Sequence, residues 1–134
     1  MPTPELLETV ELSDGRSLSF ASFGDPAGRP VFYFHGFPGS RFEPQLNHEA
    51  YLKAGIRLLA LDRPGIGQST RKNKRKLLDW PDDVVEVAKI LNLEKFSVLG
   101  VSGGGPYALA CARAIPGYLD KVTVACGLGP MDAP

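Results

Sequence analysis

Phe96-Ser97-Val98-Leu99-Gly100-Val101-Ser102-Gly103-Gly104 is the most informative run in this chain of 134 residues. It opens as a short apolar strand, becomes a G-x-S-x-G, and leads into Tyr107-Ala108-Leu109-Ala110-Cys111-Ala112, a good helix former. A serine held at a sharp strand-to-helix turn adopts strained backbone angles, and side chains two residues before and after it would collide. Gly100 and Gly104 remove those side chains. The turn then lifts the Ser102 hydroxyl above the sheet, at the start of a helix whose free N–H groups stabilise an anion. The plainer reading is a glycine-rich strand–helix turn with an incidental serine.

Working outward, Val10 and Leu12, then Leu18 and Phe20, alternate with polar residues on either side of Asp14-Gly15, a hairpin signal. Gly24-Asp25-Pro26-Ala27-Gly28 links this hairpin to Val31-Phe32-Tyr33-Phe34, a continuous apolar run expected of a strand buried on both faces. Beyond it the pattern predicts a helix over 41–54 ended by Gly55, a strand over 56–61, and a helix over 82–93. A strand over 96–99, a helix over 103–115 and a strand over 121–125 follow. Two antiparallel strands followed by strand–helix alternation predict a single α/β domain with a mostly parallel sheet. Active groups in such sheets gather at the carboxyl ends of the strands, so the residues after Phe34, Leu61 and Leu99 carry the functional information.

After Phe34 comes His35-Gly36-Phe37-Pro38-Gly39-Ser40. An oxyanion hole needs two convergent backbone N–H donors, and one comes from the loop at this position. Gly36 permits a close backbone approach, Phe37 N–H is the natural donor, and Gly103 N–H is the second. Pro38 has no N–H. His35 reads as an imidazole that organises the loop through backbone hydrogen bonds, in preference to a base. After Leu61 comes Asp62-Arg63-Pro64-Gly65-Ile66-Gly67-Gln68-Ser69. The third glycine and following helix of a dinucleotide site are missing, as is the lysine spacing of a P-loop, so this is expected to be a structural turn.

In this order and spacing, the three motifs resemble the α/β-hydrolase superfamily, nearest its small esterase-like and peptidase-like serine enzymes. The resemblance implies the α/β-hydrolase fold in truncated form across residues 1–134, with the cap and C-terminal strands absent. It implies Ser102 as nucleophile, Phe37 and Gly103 N–H groups as the oxyanion hole, no cofactor, and a small-molecule ester or amide as substrate. Epoxide hydrolases and haloalkane dehalogenases share the pattern but carry aspartate where Ser102 stands. The family's triad runs serine, acid, histidine. The 32 residues after Ser102 contain no histidine, and their only acids are Asp120 and Asp132. Asp132 sits where some members place the acid, and where others turn into a lid. The resemblance therefore leaves two readings: a serine hydrolase needing an acid and histidine from another segment or chain, or a non-catalytic binding protein. In either case the last strand would be an open edge, available to a second copy or a complementing chain.

Composition narrows the field further. Fifteen Lys+Arg against 15 Asp+Glu give no net charge, which argues against a nucleic-acid binder. The longest uncharged run, 96–112, holds four glycines and Pro106, so no membrane span is expected. The first eight residues lack a secretory pattern, which predicts a cytoplasmic protein with Cys111 and Cys126 as reduced thiols. His35 and His48 are the only histidines, without metal-ligand spacing, and His48 is expected to be solvated on its helix. Arg71-Lys72-Asn73-Lys74-Arg75-Lys76 reads as a solvated loop offset by Asp79, Asp82 and Asp83, with a polyanion patch as its rival. Val84, Val87, Ala88 and Leu91 recur at helical spacing as a core stripe.

Overall fold

Alternation on either side of Asp14-Gly15 produces the hairpin: β1 (Glu8–Glu11) pairs antiparallel with β2 (Ser17–Gly24), with Val10 opposite Leu18. The computed structural model describes residues 8–130 and 132. The apolar runs form β3 (Arg29–Phe34), β4 (Ile56–Leu61) and β5 (Phe96–Val101), and the last strand is β6 (Leu119–Ala125). These make one six-stranded sheet in the order β1-β2-β4-β3-β5-β6. β2 joins β4 antiparallel, while β3–β4, β3–β5 and β5–β6 are parallel. In this register Phe34 lies opposite both Leu61 and Gly100, so all three motif-bearing strands end side by side.

One sheet face packs under α2 (Trp80–Ile90) and α3 (Gly105–Ala114). Phe32, Phe34, Leu59, Leu61, Phe96 and Val98 from the sheet meet Trp80, Val84, Val87, Ala88, Ala108 and Cys111. Edge-on ring contacts, Phe34 to Trp80 at 5.5 Å and Phe32 to Phe96 at 4.9 Å, add to the area buried. Each such fully buried large side chain contributes about 1.5–3 kcal/mol. The opposite face holds a smaller cluster of Ala21, Phe23, Tyr33, Leu58 and Ala60, against which Tyr51 of α1 (His48–Lys53) packs. No helix among the described residues is long and apolar enough to cross a membrane.

Four expectations need correction. The helix predicted over 41–54 is helical only at its end: Arg41–Pro44 form turns, a 3-10 turn covers Gln45–Asn47, and α1 supplies the remainder. Pro44 disfavours a helical Glu43, and the Arg41 N–H is taken by the Asp62 carboxylate at 2.7 Å. His48 is half-buried, not solvated; its Nδ1 accepts the Gly24 N–H at 3.0 Å. α2 starts at Trp80, after a 3-10 turn over Leu77–Asp79 whose Asp79 carboxylate accepts the Lys76 N–H at 2.7 Å, and it ends at Ile90. Finally, Asp83 does not offset the basic loop. It is buried and holds the Arg16 guanidinium of the hairpin turn through contacts of 2.6 and 3.0 Å.

Candidate active site

At the carboxyl end of β5 the chain reverses within a 3-10 turn, Ser102–Gly104, and continues directly into α3. Ser102 has φ +52°, the left-handed region, which strains a residue with a side chain by about 1–2 kcal/mol. Gly100 and Gly104 make this turn fit. A Cβ on Gly100 would stand 2.3 Å from the Gly104 carbonyl oxygen, and one on Gly104 would stand 2.0 Å from that of Phe34. Ser102 is half-buried, and its hydroxyl makes no hydrogen bond among the described residues.

Gly103 faces the loop after β3. A Cβ built on it would lie 3.1 Å from the Phe37 nitrogen, so the two backbone segments expected to donate to an oxyanion are brought together. Among the described residues the Phe37 N–H has no acceptor. The Phe37 side chain is 83% exposed, so this residue serves the loop through its backbone.

His35 is buried, with Nδ1 2.9 Å from the Gly36 carbonyl oxygen and Nε2 3.3 Å from the Arg63 nitrogen. The Arg63 N–H can only donate, so Nε2 is the acceptor and Nδ1 carries the proton. Burial, reinforced by the Arg63 charge, holds the imidazole below its ordinary pKa. This is the loop-organising arrangement expected from the sequence. Arg63 Nη1 also donates to the His35 carbonyl at 2.5 Å, and its guanidinium lies 4.4 Å from the Tyr107 ring centroid, tying the loop to α3.

Asp62 ties down the same end of the sheet. Its carboxylate accepts the Ser19 hydroxyl at 2.7 Å and forms a buried ion pair with Arg41. A Cβ on Gly67 would fall 2.1 Å from Asp62 Oδ2, so the G-x-G closes around this carboxylate instead of a phosphate. Turn hydrogen bonds from Ile66 N–H to Arg63 and from Ser69 N–H to Ile66, both 2.9 Å, complete the loop.

Two residues escaped sequence reasoning. Both Glu43 carboxylate oxygens lie 3.1 Å from the Gly36 nitrogen, and Oε1 accepts the Tyr33 hydroxyl at 2.7 Å. Burial and this carboxylate raise the Tyr33 pKa above the ordinary phenol range. The only signal was an acid close to a glycine-rich loop, too common to single out. Neither histidine makes a hydrogen bond to Ser102, and Asp132 is exposed. Beside the turn runs an apolar groove of about 500 Å³ lined by Leu77, Leu78, Pro106, Leu109 and Leu128, and the Leu128 N–H donates to the Ser102 carbonyl at 3.3 Å.

Comparison with known proteins identifies the fold family. The family described as the alpha/beta hydrolase fold matches residues 29–134. A non-heme chloroperoxidase of Streptomyces lividans is 32% identical over 125 residues, which cover 92% of this chain and 45% of that protein. A probable proline iminopeptidase of Streptomyces coelicolor is 28% identical, with 86% of this chain and 38% of that protein covered. Among solved structures, a hypothetical protein of Pseudomonas aeruginosa PAO1 superimposes with a TM-score of 0.79 at 30% identity, covering 96% of this chain and 45% of that one. The chain thus spans less than half the length of these relatives.

Proposed function

Because the chain belongs to the α/β-hydrolase fold family, we propose that it carries the nucleophile half of a serine hydrolase acting on carboxylic-ester or amide bonds. The observation that supports this most is the left-handed Ser102 on a glycine-cleared turn, with Gly103 set against a Phe37 N–H that has no acceptor among the described residues. Ser102 Oγ adds to the substrate carbonyl, and the oxygen that becomes negative accepts hydrogen bonds from the Phe37 and Gly103 N–H groups. Gly36, Gly100 and Gly104 keep that geometry compact, and His35 holds the loop.

A serine hydroxyl is a weak nucleophile until a base takes its proton. That base and its orienting acid come, in this reading, from residues outside these 134 or from a second chain. Oxyanion donors and binding alone still give a residual rate on the order of 10³–10⁴ over water. The test is hydrolysis of a short-chain aryl ester by the folded protein beside Ser102→Ala. Turnover lost in the variant supports the reading, and turnover that persists unchanged contradicts it.

Among the described residues no strand pairs with the outer edge of β6, which favours a second reading, an interaction protein that keeps the fold without the chemistry. Binding of a second chain that is indifferent to Ser102→Ala, without any ester turnover, would support it.

A further inference from the structure

We infer that Glu43 is a positioning residue that selects Phe37 as the loop's oxyanion donor, an inference that rests on Ser102 being the nucleophile. The loop after β3 offers backbone N–H groups at Gly36, Phe37 and Gly39, and none at Pro38. An oxyanion hole requires one of them to face Gly103, and a fixed loop keeps the choice from drifting to a neighbour. Glu43 does the second part: both carboxylate oxygens stand 3.1 Å from the Gly36 nitrogen and take up that donor. Among the described residues the Phe37 N–H is left without an acceptor, on the side where the Gly103 backbone lies.

The carboxylate is itself anchored. Its Oε1 accepts the Tyr33 hydroxyl at 2.7 Å, and Tyr33 belongs to β3, where it pairs with Ala60 on one side and Leu99 on the other. The brace therefore runs from the sheet through Tyr33 and Glu43 to Gly36, and so to the peptide that presents Phe37. Two glycines make room for it. A Cβ on Gly39 would lie 2.4 Å from Glu43 Oε2, and one on Gly36 would touch both Ser102 Cβ at 3.4 Å and Glu43 Oε2 at 3.5 Å. The carboxylate and the Ser102 Cβ thus both approach the space that a Gly36 side chain would fill. The negative charge is engaged by two donors, the Tyr33 hydroxyl and the Gly36 N–H.

The test uses Glu43→Ala, Glu43→Gln and Tyr33→Phe, with Glu49→Gln on the exposed side of α1 as control. Three quantities are read: the second-order rate of Ser102 labelling by a fluorophosphonate, the thermal midpoint, and amide hydrogen exchange of Gly36 by NMR. Glu43→Ala should slow labelling on the order of 10-fold, because a loosened donor loses part of what a deleted one loses. It should accelerate Gly36 exchange and leave the midpoint near that of the wild type. Glu43→Gln should recover part of the rate, since its amide oxygen still accepts a hydrogen bond, and it keeps the test informative where alanine disturbs folding. Tyr33→Phe should act in the same direction more weakly. Labelling of both Glu43 variants at the wild-type rate, or unchanged Gly36 exchange, would overturn the inference. If the wild type is not labelled at all, the nucleophile reading fails separately. Gly36 exchange and the Phe37 amide shift then decide the brace: faster exchange with a moved Phe37 signal supports it, and no change overturns it.

Discussion

Gly104→Ala tests the packing that creates the strand-to-helix elbow at Ser102. Gly104 has φ −80° and ψ −14°, ordinary for any residue, so space and not backbone freedom reserves the position for glycine. An added Cβ would meet the Phe34 oxygen at 2.0 Å, the Phe34 carbon at 2.7 Å and the His35 oxygen at 2.9 Å. All three are backbone atoms at the end of the central strand, where Phe34 is fully buried and paired on both sides. They cannot rotate away, so the start of α3 has to retreat by about 1 Å to restore normal contact. Overpacking of this kind costs about 3 kcal/mol. At ~3 °C per kcal/mol for a domain of this size, the thermal midpoint should fall by about 10 °C. The same retreat carries Gly103 away from Phe37, and a displacement near 1 Å costs on the order of 10²-fold in rate. Calorimetry and fluorophosphonate labelling read the two effects, with Gly117→Ala as control because nothing lies within 4 Å of a Cβ there. Gly104→Ala melting within about 2 °C of the control would refute the packing argument.

Asp62→Ala should destabilise by about 3–5 kcal/mol in urea denaturation, because it removes the carboxylate of a buried ion pair with Arg41 and the acceptor of the Ser19 hydroxyl; a loss below about 1 kcal/mol would contradict the anchoring role. Because the folded His35 imidazole titrates below its ordinary value of 6.5, the unfolded chain takes up its proton first as pH falls. The His35 contribution is therefore complete above that value and should decline at lower pH until the folded-state pKa is passed. Urea midpoints between about pH 8 and 5 should fall more steeply for the wild type than for His35→Gln. Burial pushes the Cys111 thiol up to about 12, while Cys126 is exposed. A disulfide reagent should therefore titrate one thiol in the native protein and both after denaturation.

The parts of the fold legible in the sequence are those with strong periodicity or punctuation. Asp14-Gly15 fixes the hairpin, Ile56–Leu61 is a strand with the bounds its apolar run predicts, and the elbow glycines announce the turn. What stayed hidden depends on distant partners. The segment around Arg41 and Glu43 has helical composition, yet its first residues are drawn into turns by Asp62 and Gly36, 21 and 7 positions away. His48 looked like a surface residue because nothing local reveals that the Gly24 N–H needs an acceptor. Asp83 sits near the basic loop in sequence, but the sheet brings Arg16 to it from 67 residues away. Ser102, Phe37 and Gly103 are legible as candidates because backbone chemistry restricts which residues fit such a turn and loop. Glu43 and Tyr33 are not, since their roles are created by the loop's tertiary path.

The most direct test of the central claim is intact-mass detection of covalent labelling by a fluorophosphonate, on folded protein beside Ser102→Ala. The account predicts one adduct per chain, absent from the variant, with the Phe37 and Gly103 N–H groups stabilising the charge that develops and solvent or a second chain taking the Ser102 proton. No adduct on a protein that circular dichroism shows to be folded, or an adduct that persists in Ser102→Ala, would contradict it.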